Sequence, residues 1–159
     1  MRSLLRTIIV GSVLAGLVPA RGLAAQADAF VGTWKLNVAQ SKYNPGPAPK
    51  SLTVTFAKVG AATKVTVKGV ASDGKATGSE YTTMLDGKDA TVTGSEDYDA
   101  VAVKQLDPMT RHSVRKKGGK EVQVSHTVMS KDGKHYTSTT TGTNAAGAKI
   151  NNVAVFDKQ

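Results

Sequence analysis

Phe30-Val31-Gly32-Thr33-Trp34-Lys35-Leu36-Asn37 is the stretch on which the fold turns. Phe30, Gly32, Trp34 and Leu36 fall on one face, and Val31, Thr33, Lys35 and Asn37 on the other. That period of two is the signature of a half-buried strand. Trp34 is the only tryptophan of the chain, and Gly32 leaves room for a close contact beside it. Together they are expected to plug one end of a closed sheet.

Downstream, the chain reads as strand, turn, strand. Leu52, Val54 and Phe56 alternate with threonines, and Val65 and Val67 alternate with Lys64, Thr66 and Lys68. Tyr81, Thr83 and Leu85 share a face, followed by Ala90 and Val92, then Val101 and Val103. Val122, Val124 and Val128 come next, then Thr137, Thr139 and Thr141, and finally Ile150 to Phe156. Valine, threonine and tyrosine suit a half-buried sheet, and no stretch sustains a helical period. Asp73-Gly74, Asp86-Gly87, Gly118-Gly119 and Asp132-Gly133 are hairpin dipeptides. The pattern predicts an all-β, antiparallel, up-and-down barrel of eight to ten strands, closed so that no edge is exposed.

The segment Phe-Val-Gly-Thr-Trp-Lys-Leu resembles the opening strand of the calycins, the lipocalin and fatty-acid-binding-protein group, with their Gly-x-Trp signature. The whole chain is similar to small bacterial exported lipocalin-like proteins. The resemblance implies a barrel that holds a small hydrophobic, lipid-like or amphipathic molecule. Two family features do not carry over. Three prolines in Asn44-Pro45-Gly46-Pro47-Ala48-Pro49 forbid the helical lid, so a loop rim around Tyr43, or a plain strand connection, is expected there. The Arg-x-Tyr carboxylate clamp is missing from the final strand, which reads Asn151-Asn152-Val153-Ala154-Val155-Phe156.

Residues 1–27 read as a secretory signal peptide. Arg2 and Arg6 form a basic start, Thr7 to Val18 is apolar or small, and Ala25-Gln26-Ala27 offers a cleavage site before Asp28. Cleavage after Ala24 or Ala25, or an uncleaved anchor, are the alternatives. Residues 28–159 then form a single barrel domain, periplasmic or secreted. The 159 residues carry a net charge of +9, of which Arg2, Arg6 and Arg21 leave with the signal. The remaining basicity is compatible with contact to an anionic envelope surface. With no stacking-plus-basic motif, nucleic acid is not an expected partner, and the expected state is a monomer. The absence of cysteine excludes disulfides, thiolate metal sites, cysteine nucleophiles and lipoprotein acylation.

Two-residue hairpin loops fix register and so assign inward residues. A loop at Gly118-Gly119 sets Arg115 against Val122, Ser113 against Val124 and Arg111 against His126. One at Asp132-Gly133 sets His126 against Thr139, and a four-residue loop at Asn144 to Gly147 sets Thr139 against Asn152. With the valines inside, Arg111, Arg115, His126, Thr139 and Asn152 point inward too. A three-residue loop or a glycine bulge near Asp73-Gly74 is needed to keep Val67 on the face of Tyr81. Alternatively, a bulge displaces the two arginines to solvent, and His126 is a hydrogen-bonded core residue.

The expected ligand contacts are thus Arg111, Arg115, His126, Thr139 and Asn152 for a polar or anionic end. Phe56, Tyr81, Leu85, Val124 and Phe156 would meet an apolar part. A buried arginine without a partner would need the ligand's anion. No nucleophile elbow, zinc, calcium, P-loop or dinucleotide motif occurs, so no enzyme, cofactor or metal is expected. Two-residue turns also place His112 and His126 on opposite faces. The competing reading is a non-catalytic envelope interaction protein with a packed barrel.

Overall fold

The computed structural model describes residues 28–159, so the signal-peptide reading of residues 1–27 lies outside the described residues. Ten strands follow one another: β1 (Gly32–Leu36), β2 (Ser51–Val59), β3 (Ala62–Val70), β4 (Ala76–Thr83) and β5 (Asp86–Thr91), then β6 (Ala100–Asp107), β7 (Thr110–Lys117), β8 (Lys120–Met129), β9 (His135–Thr143) and β10 (Lys149–Lys158). Each pairs antiparallel with its sequence neighbour except β4 and β5, and β10 returns to β1. The remaining seam is held by one reciprocal pair: Glu80 N–H donates to Thr93 O (2.9 Å) and Thr93 N–H to Glu80 O (3.0 Å). The result is a nearly closed antiparallel up-and-down barrel, the architecture that the alternation and turn spacing predict.

The opening strand starts two residues later than the alternation suggests. Asp28 folds the chain into a turn, its Oδ1 accepting from Phe30 N–H (3.1 Å) and its carbonyl from Val31 N–H (3.0 Å). Gly32, at φ +135°, then redirects the chain into the sheet, a conformation open to glycine and rare for other residues. Trp34 is fully buried and its Nε1 donates to Phe30 O (2.8 Å).

No helical lid follows. A three-residue 3₁₀ turn, Val38–Gln40, leads into the proline segment, which is strapped to β10 instead. Lys42 pairs with Val153, Asn44 N–H donates to Asn152 Oδ1 (2.9 Å), and Asn151 N–H donates to Asn44 O (2.7 Å). Tyr43, Pro45, Pro47 and Pro49 stand at the mouth.

The hairpins correct the expected faces. Gly118-Gly119 does close a two-residue loop, with Lys117 opposite Lys120. One pair later the register slips: Lys116 faces Glu121, but Arg115 faces Gln123, leaving Val122 as an extra, bulged residue. Because side chains alternate strictly, this one residue exchanges the faces of β8. Gln123, Ser125 and Met129 are buried inside, while His126 and Val128 are exposed. Val124 belongs to their outer row, not to the interior. Gly142 makes the bulge possible. It lies opposite Gln123 at φ +138°, and a Cβ there would collide with the Val122 carbonyl and approach Gln123 Cα to 2.6 Å.

His126 and Thr139 do face each other as predicted, but on the outside of the barrel, where both are exposed. His112 and His126 are direct cross-strand partners on that outer face, not residues of opposite faces. The β9–β10 loop spans five residues, with Thr143 opposite Lys149, so Asn152 faces Thr140. Five residues also separate Val70 from Ala76, which puts Val67 opposite Ser79 and Val65 opposite Tyr81. The longer loop required near Asp73-Gly74 is therefore present.

Candidate functional site

The interior holds a cavity of about 670 Å³ that opens at the end carrying the proline segment. Its floor is aromatic. Tyr136 stacks on Phe156 (4.7 Å between ring centres, 19°) and meets Trp34 edge-on at 5.0 Å; Phe30 and Phe56 complete the cluster. Such edge and offset contacts add to the burial of the rings. Burial pushes the Tyr136 phenol well above its ordinary pKa and that of Tyr81 up to about 12, so both are neutral hydrogen-bonding groups.

Beside this cluster lies a buried ion pair. Arg111 Nη2 donates to Asp28 Oδ1 (2.7 Å) and Oδ2 (2.6 Å), and its Nε donates to Gln105 Oε1 (2.6 Å). The guanidinium also lies 4.0 Å from the centre of the Phe30 ring, close enough for cation–π attraction. Burial pulls the Arg111 pKa down and Asp28 opposes that pull. The arginine is inside, as expected, but Asp28 already supplies its counter-charge.

Above the floor, the cavity is divided lengthwise. One wall is apolar: Leu52, Val54 and Phe56 of β2, Val65 and Val67 of β3, and Tyr81 of β4. The facing wall, from β7 to β9, is polar: Ser113, Arg115, Gln123, Thr127, Ser138 and Thr140, while β10 between the two adds Asn152 beside Ile150, Ala154 and Phe156. The division follows from the alternation of each strand, since β7, β8 and β9 carry polar residues at their inward positions. Arg115 sits near the mouth in a network. Its Nη1 donates to Ser125 Oγ (2.5 Å) and Gln123 Oε1 (3.4 Å), and its guanidinium lies 5.1 Å from the Tyr98 ring centre. Ser125 Oγ is bonded to Thr140 Oγ1 (2.7 Å), and Gln123 Nε2 donates to Thr143 O (3.1 Å). Arg115 makes no ion pair with a carboxylate among the described residues.

Seven of the expected contacts, Phe56, Tyr81, Leu85, Arg111, Arg115, Asn152 and Phe156, therefore meet in one cavity. His126, Thr139 and Val124 do not, because the Val122 bulge turns their row outward. The sequence reading missed Tyr136, Gln123, Ser125 and Asp28. Tyr136 was legible in principle: an aromatic residue beside Thr137 marks the other face as the buried one. Asp28 had no local signal, since its partner lies 83 positions away.

Across the mouth, Ala145 N–H donates to Asp97 Oδ1 (2.7 Å), tying the β9–β10 loop to the β5–β6 loop. No helix among the described residues is long and apolar enough to cross a membrane.

No family model matches the chain, and no curated protein matches it. Among solved structures it is similar to zebrafish ileal bile acid-binding protein complexed with cholic acid. The identity is 14%, the match covers 82% of this chain and 99% of that one, and the TM-score is 0.48.

Proposed function

We propose that the barrel is a non-catalytic carrier that binds one small amphipathic molecule, its apolar side on the β2–β4 wall and its anionic or polar group at Arg115. The observation that carries this reading is the lengthwise division of a 670 Å³ cavity, a volume within the usual range for small-molecule sites. A packed structural barrel has no use for such a space. Arg115 takes the role that the sequence alone assigns to Arg111, because Arg111 is already neutralised by Asp28. A charge-assisted contact there would be stronger than a neutral one.

His112 and His126 lie on the outer face, and His135 bonds Asp157 at the surface. The cavity wall thus offers hydroxyls, amides, two guanidinium groups and, at the mouth, the Asp97 carboxylate that accepts from Ala145 N–H, with no imidazole lining it among the described residues, which favours binding over catalysis. In this reading the signal-like residues 1–27 direct the carrier out of a bacterial cytoplasm.

The test is a titration with an anionic and a neutral fluorescent lipid probe, comparing the parent with Arg115→Met. The parent should bind both, and the variant should lose roughly tenfold for the anionic probe only. Failure of the parent to bind either probe would overturn the proposal in favour of an envelope interaction protein.

A further inference from the structure

On the polar side of the cavity, one inward row consists wholly of hydroxyl and amide groups. Ser113 of β7 faces Ser125 of β8, Ser125 faces Thr140 of β9, and Thr140 faces Asn152 of β10. Ser125 Oγ is shared between Arg115 Nη1 and Thr140 Oγ1, and Asn152 Oδ1 accepts from Asn44 N–H. Ser113, at the β7 end of the row, stays open. Its Oγ makes no hydrogen bond among the described residues, yet the one buried side-chain polar atom left without a partner there belongs to Arg111. The Ser113 hydroxyl therefore keeps accessible surface, on a half-buried residue that lines the cavity. Arg115 brings its charge to the same row. Its backbone lies two positions nearer the mouth, but its guanidinium reaches down to Ser125 Oγ (2.5 Å), and direct cross-strand partners such as Ser125 and Ser113 have Cβ atoms roughly 5 Å apart. The Nε and Nη2 donors of Arg115 make no hydrogen bond among the described residues and are not buried away from the cavity, so they remain for a ligand's anion. A carboxylate bound there sets the carbon atoms next to it against Ser113.

We propose, resting on the carrier reading above, that the cargo is a hydroxy acid. Its carboxylate sits at Arg115, and a hydroxyl on the carbon β to that carboxylate exchanges a hydrogen bond with Ser113 Oγ. The rest of its chain lies along Leu52, Val54 and Val67. A plain alkyl acid of the same length displaces water from the Ser113 hydroxyl and returns no hydrogen bond. That is the situation in which a site discriminates by hydrogen bonding rather than by fit.

Calorimetric titration with dodecanoic acid and 3-hydroxydodecanoic acid tests this. The parent should bind the hydroxy acid about fivefold more tightly, the worth of one neutral hydrogen bond. In Ser113→Ala the preference should disappear or reverse, because the ligand's hydroxyl then leaves water without gaining a partner. Binding of dodecanoic acid by the variant shows that it is folded; should it fail to fold, the parent comparison decides alone. Equal binding of the two acids by the parent, tighter binding of dodecanoic acid, or a preference that survives Ser113→Ala overturns this inference and leaves the carrier reading standing. Binding of neither acid by the parent overturns both.

Discussion

Asp28→Asn should destabilise the barrel by about 3 kcal/mol, because it removes the charge that balances Arg111 and changes little else. Removing one partner of a buried ion pair typically costs about 3–5 kcal/mol, most of it from the charge left uncompensated. The lower end applies here. The Asp28 side chain is 12% exposed against 4% for Arg111, so water reaches one side of the pair. Asparagine also keeps an oxygen for Phe30 N–H, now 3.1 Å from Oδ1. Arg111 has no such outlet, being enclosed by Phe30, Phe56 and Gln105. Urea denaturation reads the effect: with a slope of about 2 kcal/mol/M, the midpoint should fall by roughly 1.5 M at unchanged slope. Adding Arg111→Met should then recover most of the loss, since a neutral side chain of similar reach fills the same apolar site. The reasoning is refuted if the single variant stays within about 1 kcal/mol of the parent, or if the second substitution makes the first worse.

Trp34→Ala should cost about 3–5 kcal/mol in the same assay, as truncation of a fully buried aromatic does; a loss below about 1 kcal/mol would show that Trp34 does not close the floor. Gly142→Ala should destabilise by about 1–3 kcal/mol, because its Cβ has no room beside the Val122 carbonyl. A neutral outcome would mean that the β8 bulge is not where the register places it.

The strand content, the turns at Asp73-Gly74, Gly118-Gly119 and Asp132-Gly133, the loss of the helical lid and the burial of Trp34 were legible in the sequence, because each depends on residues a few positions apart; Asp86-Gly87 instead opens β5, which pairs with β6 and not with β4. Alternation makes a strand, Asp-Gly makes a turn, and three prolines in a row of six prevent a helix at any tertiary cost. The inward placement of Arg111 and Arg115 was reached as well, though through valines that turn out to face solvent.

Tertiary structure decided which row of β8 and β9 enters the cavity. The reason is physical: an antiparallel pair can absorb one extra residue at small cost, and doing so exchanges every side chain beyond it. Whether it does so at Val122 depends on Gly142, which stands twenty positions away and makes room from the neighbouring strand. The charge state of the floor was equally out of local reach. Arg111 reads from its own strand as a cation in search of an anion, and only closure of the barrel brings Asp28 to within 2.6 Å of it. That contact moves the open cationic position to Arg115, and with it the end of the cavity where an anion would sit.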